Sequence, residues 1–218
     1  MTDDAFTQLR TPRLLLRRFR ESDVEAFARY RSDPAVARYQ GWDAPYPMEQ
    51  AREFVTTMAT APADVPGDWL QIAVARDGDG SLVGDCALAP QAHEPRTVEI
   101  GFTIAPEQQG RGYAREAVSL LLRYLFGQLG KHRVTASCDS RNAPSVRVLE
   151  AVGMRREGHL VESTWSKGEW TDDLLFALLR REWMSREPPA RQSRASAHAA
   201  HGGDGPTLPP SSSRSRCG

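Results

Sequence analysis

Thr97-Val-Glu-Ile-Gly-Phe-Thr-Ile-Ala-Pro-Glu-Gln-Gln-Gly-Arg-Gly-Tyr-Ala114 is the stretch that decides the fold. Val98, Ile100, Phe102 and Ile104 alternate with small or polar residues, the period-2 pattern of a strand. Pro106 ends it. A loop holding Gly110 and Gly112 follows, then Ala114, Ala117, Val118, Leu121, Leu122, Leu125 and Phe126 form a helical stripe over about 113–127. The first-turn amides of that helix have no intrahelical partner, and its dipole places partial positive charge there. Glycines let a large anion approach such amides closely, so the loop has the physics of a pyrophosphate cradle. It lacks the Gly-Lys-Ser/Thr of a P-loop and the three spaced glycines of a dinucleotide fingerprint. A tight turn before a helix is the plainer reading of the loop taken alone.

Outward from this segment the chain reads as one α/β domain with a mixed sheet and helices on both faces. Residues 13–19 predict a first strand. Ser22-x-x-Glu25 predicts a capping box opening a helix over 23–31. Pro47 suits a first helical position ahead of the stripe Ala51, Phe54, Val55, Met58. Trp69–Ala75 and Leu82–Leu88 predict two strands joined by Asp77-Gly78-Asp79-Gly80, which is hairpin chemistry rather than a calcium loop, being too short and lacking a closing Glu. Arg133–Cys138 predicts a fifth strand and Pro144–Val152 a short helix, capped near Asn142 with Gly153 beyond its end. Two last strands are expected near 155–163 and 171–179.

The 218 residues carry 28 Lys+Arg and 28 Asp+Glu, so zero net charge gives no support to nucleic-acid binding across the whole surface. No apolar run is long enough to span a bilayer, and the first residues have no signal-peptide pattern, so no membrane partner is expected. Cys86, Cys138 and Cys217 form no paired or His/Cys metal motif; an intracellular, cytoplasmic protein without a metal is the expectation. Composition changes near residue 185. From 185 to 218 the chain is Pro-, Ser- and Arg-rich, with Leu208 its single large apolar residue and five arginines against Glu187 and Asp204. Such a segment cannot offset the entropy of ordering itself, so 185–218 is expected to be a disordered tail behind a domain at 1–184.

Gln109-x-x-Gly112-x-Ala114 after a buried strand resembles the acyl-CoA-binding signature of the GNAT N-acetyltransferases. Further segments resemble the branch named for ribosomal-protein N-terminal acetyltransferases: Thr11-Pro-Arg-Leu-Leu-Leu-Arg-Arg-Phe19, Asn142-Ala-Pro-Ser145 before Val148-Leu149-Glu-Ala-Val-Gly153, Arg156-Glu-Gly158, and Trp170-x-Asp172. The resemblance covers about residues 9–184, in the family's order. It implies a mixed, mostly antiparallel, splayed seven-stranded sheet flanked by helices. It implies that acetyl-CoA is the acyl donor and a primary amine the acceptor, a protein or peptide N-terminus first and a small amine such as an aminoglycoside, polyamine or amino acid second. A non-catalytic acyl-CoA-binding protein is the rival of another class. By the same resemblance, the pantetheine arm pairs near Phe102, Thr103 and Ile104. Gln109, Gly110, Arg111, Gly112, Tyr113 and Ala114 receive the pyrophosphate, and Asn142 and Ser145 meet the thioester end. Arg111 and Arg115 are either phosphate partners or solvated first-turn residues. A monomer or homodimer is expected.

Two glutamates are candidates for general base. Glu99 lies on a central strand, on the face of Gly101 and Thr103, where a carboxylate is unusual unless it meets a cleft or a partner such as Arg133. Glu162 lies in a segment resembling the family's acceptor side. Leu149 stands where many relatives place a tyrosine acid, which leaves Ser145 as the hydroxyl in register. Cys86 and Cys138 sit in apolar strands and read as inert core, so direct transfer in a ternary complex is preferred to an acyl-cysteine. Trp42, Tyr46, Trp165 and Trp170 either wall an acceptor pocket or serve packing.

Overall fold

The computed structural model describes residue 6 and residues 8–186. The expected tail from 187 to 218 lies outside the described residues. The strands are β1 (Gln8–Arg10), β2 (Leu14–Arg17), β3 (Leu70–Arg76), β4 (Leu82–Pro90), β5 (Thr97–Ile104), β6 (Arg133–Asp139), β7 (Arg155–Ser166) and β8 (Glu169–Leu179). The helices are α1 (Val24–Arg31), α2 (Pro34–Ala37), α3 (Met48–Thr60), α4 (Tyr113–Arg123), α5 (Ala143–Ala151) and α6 (Arg180–Arg186).

The eight strands form one sheet in the order β1-β2-β3-β4-β5-β6-β8-β7. The added strand relative to the seven expected is β1, a three-residue edge too short to show a period. Neighbours are antiparallel except β5 and β6, which run parallel. That parallel contact is short. It holds at Thr97↔Arg133, Val98↔Val134 and Glu99↔Thr135 and then stops, while both strands continue. From Ile100 onward β5 pairs through its β4 edge.

The alternation on β5 divides two cores. Val98 and Ile100 point to a core built with Ala117, Val118, Leu121 and Leu122 of α4 and Leu149 of α5. On the opposite face Ala73 meets Val24, Phe27 and Tyr30 of α1, Val36 of α2 and Ala51 and Val55 of α3. The helices therefore sandwich the sheet, as the mixed pattern predicts.

Local differences have local causes. Ser22 does not cap α1. The chain makes a 3-10 turn at Glu21–Asp23 instead, where the Asp23 carboxylate accepts from the Arg20 amide at 2.8 Å and from both Nη atoms of the buried Arg17 at 2.7 and 2.9 Å. α2 was not read from the sequence, though Asp33 caps it, accepting from the Ala35 amide at 2.7 Å, and Pro34 opens it. α4 passes into a π-helical turn at Tyr124–Gln128. α6 carries through Ser185 and Arg186, two residues beyond the expected boundary at 184. Arg186 Nη1 donates to the Gly153 carbonyl at 2.6 Å, and Trp183 lies against Phe126 at 5.7 Å between ring centres.

Candidate active site

A cleft of about 540 Å³ opens where β5 and β6 part. Phe102, Thr103 and Ile104 form one wall, and all three lie past the end of β5's pairing with β6. Gln109, Gly110, Gly112, Tyr113 and Ala114 line one end of it, and Asn142 and Ser145 at the start of α5 line the facing side. With Arg115, eleven of the residues marked out in the sequence thus share one surface. Arg111, Glu99 and Glu162 are not part of it.

The glycine loop is held from both sides. Gln109 Nε2 donates to the Ile104 carbonyl at 3.0 Å, fixing the loop to the end of the strand it follows. From behind, Arg13 Nη1 donates to the Arg111 carbonyl at 3.1 Å, and its guanidinium carbon lies 5.0 Å from the Tyr113 ring centre. Glu116, in the first turn of α4, accepts from Arg13 Nε at 2.7 Å and from Thr11. Arg13 and Glu116 are positioning residues that the sequence reading missed; their pairing spans about a hundred residues and has no local signal. Gly110 and Gly112 adopt φ of 73° and 80°. A Cβ on Gly112 would meet only the end of the Arg13 side chain, at 3.6 Å, so the left-handed backbone, not internal crowding, calls for glycine here.

Asn142 caps α5: its Oδ1 accepts from the Ser145 amide at 3.2 Å. Arg115 and Arg147 bring positive charge to the cleft wall, as do the free first-turn amides of α4. The remaining wall comes from the α2 region, with Val36, Tyr39 and Gln40.

Glu99 stands at the last paired position, where the strands begin to part. It is half-buried, and its Oε1 accepts from Ser137 Oγ at 3.2 Å. Arg133, the expected partner, pairs with Glu157 instead. Glu162 is exposed on β7, three strands away. At the usual ~4.8 Å strand spacing, about 14 Å of sheet separates their backbones. Glu162 has φ of 46°, and its amide donates to Asp172 Oδ1 at 2.8 Å. That bond, and His159 at 2.9 Å, hold the Asp172 carboxyl below its usual range.

Burial pushes the Cys86 thiol far up. Burial, with help from Asp139 and Asp173, pushes Cys138 up to about 11. Neither presents a thiolate near neutral pH. Trp42 and Tyr46 serve packing around Arg31. Trp165 and Trp170 meet edge to face at 5.4 Å on the β7–β8 hairpin and remain 61% and 56% exposed. The tip of that hairpin is tied to the loop before α3: Lys167 Nζ donates to the Trp42 carbonyl at 2.6 Å and pairs with Asp43 at 2.8 Å. Among the described residues no helix is long and apolar enough to cross a membrane.

Comparison with known proteins agrees with this geometry. Residues 13–155 match the sequence profile of the acetyltransferase (GNAT) domain. The chain is 35% identical over 174 residues to the uncharacterized N-acetyltransferase YnaD of Bacillus subtilis, covering 79% of this chain and 97% of that one. A GNAT-family acetyltransferase from Bacillus anthracis superposes with a TM-score of 0.73 at 34% identity, covering 81% of this chain and all of that one. Mycobacterium smegmatis RimJ, solved with CoA-disulfide, superposes at 0.68 with 27% identity, covering 80% and 87%.

Proposed function

Because the chain belongs to the GNAT acetyltransferase family, we propose that it passes the acetyl group of acetyl-CoA to the α-amine of a protein or peptide N-terminus, by direct attack with both substrates bound. It is an acetyl-CoA-dependent N-acetyltransferase; the acceptor, the residue roles and the order of events are the proposal. The observation that carries them is the parting of β5 and β6 beside a glycine loop that opens a helix.

The residues present fit the donor. The edge of β5 at Phe102–Thr103, past its pairing with β6, faces the cleft and suits backbone pairing with the amides of a pantetheine arm. The Gln109–Ala114 loop brings the N-terminus of α4 to the cleft, and Arg115 and Arg147 add charge for phosphates. Acetyl-CoA supplies an acyl group already activated as a thioester. The chain has to orient it, accept a proton from the amine and stabilise the departing sulfur.

Glu99 is the proposed base, acting through a water. The demand on it is modest for an N-terminus. At pH 7 an α-amine of pKa near 8 loses its proton for about 1.4 kcal/mol, against about 4.6 kcal/mol for a lysine side chain. Ser145 presents a hydroxyl in the cleft for a hydrogen bond to the sulfur. Glu162 is the second candidate base, on the acceptor side. The sheet face of Glu99 continues outward through Ser137, Leu175 and Leu160, all exposed, so it leaves room for a chain end.

Release of free thiol from acetyl-CoA with a panel of short peptides, polyamines, aminoglycosides and amino acids tests the acceptor. A peptide preference is expected. A preference for small amines overturns the N-terminal reading, and tight CoA binding without turnover on any amine overturns the catalytic roles.

A further inference from the structure

The cleft wall contains no carboxylate, histidine or cysteine. Its hydroxyl side chains are Thr103, Ser145, Tyr39 and Tyr113. Serine and threonine hydroxyls are poor acids, whereas a phenol is a far stronger one. Tyr113 opens α4 at the glycine-loop end, under the Arg13 guanidinium. Tyr39 belongs to the other end. Its phenol lies 3.5 Å from the carbonyl of Arg141, the residue preceding Asn142 and the start of α5. At that separation the contact is at the outer limit of a hydrogen bond, so the phenol hydrogen is free to turn to a better acceptor. The side chain is half-buried and held between the α2 region and the β6–α5 loop, with the Arg38 guanidinium carbon 5.2 Å from its ring centre.

We propose that Tyr39 is the proton donor to the leaving sulfur, and this rests on the reading of the cleft given above. The amine nitrogen forms its bond to the thioester carbon, the carbon–sulfur bond breaks, and its electron pair goes to sulfur. Tyr39 Oη gives its proton to that sulfur, and the phenolate recovers one from solvent. The proton lost by the attacking nitrogen leaves through Glu99 and water. The products are the amide and free CoA thiol, so the step balances. Ser145 then has a supporting role, a hydrogen bond to sulfur without proton transfer.

The test is Tyr39→Phe, which keeps the ring and removes the hydroxyl. Two readouts are combined. The first is the affinity for CoA and for acetyl-CoA by calorimetry from pH 7 to 9. An ordinary thiol titrates near 8.5 while a phenol stays protonated. A hydrogen bond from Tyr39 to sulfur therefore makes the intact protein bind CoA more tightly as pH rises through this range. Tyr39→Phe is expected to lose most of that gain, with acetyl-CoA affinity within twofold of the starting protein. The second is kinetic, with whichever amine of the panel reacts best. The value of kcat is expected to fall on the order of 10²-fold, the lower end for a positioned acid, with little change in KM for acetyl-CoA.

Equal pH dependence of CoA binding in the two proteins, or an unchanged kcat, overturns the proposal. So does a parallel loss of affinity for CoA and acetyl-CoA, which would make Tyr39 only part of the wall. If the unaltered protein binds neither ligand, the cleft reading itself fails, and that outcome is distinct from the others.

Discussion

The guanidinium carbon of Arg31 lies 3.9 Å from the centre of the Trp42 ring, at the heart of a cage completed by Phe27 at 4.2 Å, Phe54 at 4.7 Å and Tyr46 at 5.3 Å. Arg31 is 3% exposed, and its Nε and Nη2 have no hydrogen-bond partner. The Trp42 indole in turn donates to the Arg31 carbonyl at 3.1 Å. A buried cation thus pins the loop before α3 to α1.

Replacing Arg31 with Met removes the charge but keeps bulk, and leaves the buried Asp85 without its nearby cation. A loss of about 2–4 kcal/mol is expected, since removing one partner of a buried charged group costs more than the pair contributes. Arg31→Lys should recover only part, because an ammonium cannot stack flat on several rings. Urea unfolding measures both; a change under about 0.5 kcal/mol in Arg31→Met would show that the cage contributes nothing.

Asp85 is 2% exposed and accepts from the Tyr30 hydroxyl. Burial raises its carboxyl above the usual range, partly opposed by Arg31 and by the Tyr30 bond. A raised folded value favours the protonated form in the native state. Its stabilising contribution is therefore full below the unfolded value near 4 and is lost as pH rises through the folded one. Asp85→Asn should remove this component, so that the difference in melting temperature between the variant and the unaltered protein grows in the variant's favour from pH 4 to pH 7. A constant difference across that range would contradict the raised value.

Gly112→Val places a β-branched side chain at φ of 80° and over the proposed pyrophosphate site. CoA affinity should fall at least tenfold by calorimetry while the far-UV spectrum stays native. Unchanged affinity would remove the loop from the donor site.

Glu99→Gln keeps shape and loses basicity. We expect kcat to fall, short of the full ~10²–10⁴-fold for general bases because an α-amine needs less help, and the deficit to narrow as pH rises and more amine is neutral. CoA affinity should barely move. Full activity at pH 7 in this variant, with a loss in Glu162→Gln, would transfer the role to Glu162.

A chain ending at Arg186 is expected to keep its melting temperature and activity, since residues 187–218 carry a single large apolar residue, Leu208. Ending it at Leu179 should lower stability, because α6 and its Trp183 and Arg186 contacts go with it. A large loss from the shorter deletion would show that the tail docks.

The segment from Thr97 to Ala114 was legible because strand alternation, proline, glycine and helical stripe follow one another without interruption. The ends of elements were less so. β1 has three residues and α2 four, below the length at which a period declares itself, although Asp33-Pro34 was a readable start signal. Partners across the sheet were the least legible. Glu99 and Arg133 lie on one face of neighbouring strands, but the parallel register sets Glu99 opposite Thr135 and Ser137 takes its carboxylate. The Arg31 cage draws on positions 27, 42, 46 and 54 and depends on how two helices and a loop meet. The α2 wall with Tyr39 was missed with α2 itself.

The gap between β5 and β6 also bears on solubility. Unpaired strand edges usually invite other sheets and so promote aggregation. Here the bare edge lies inside the sheet, with β4 on one side and β8 beyond β6 on the other. A foreign sheet, bulky on both faces, cannot reach it; a single slender chain can. On the proposed reading, the molecule keeps a pairing edge for the thin arm of its donor without offering one at the rim of the sheet.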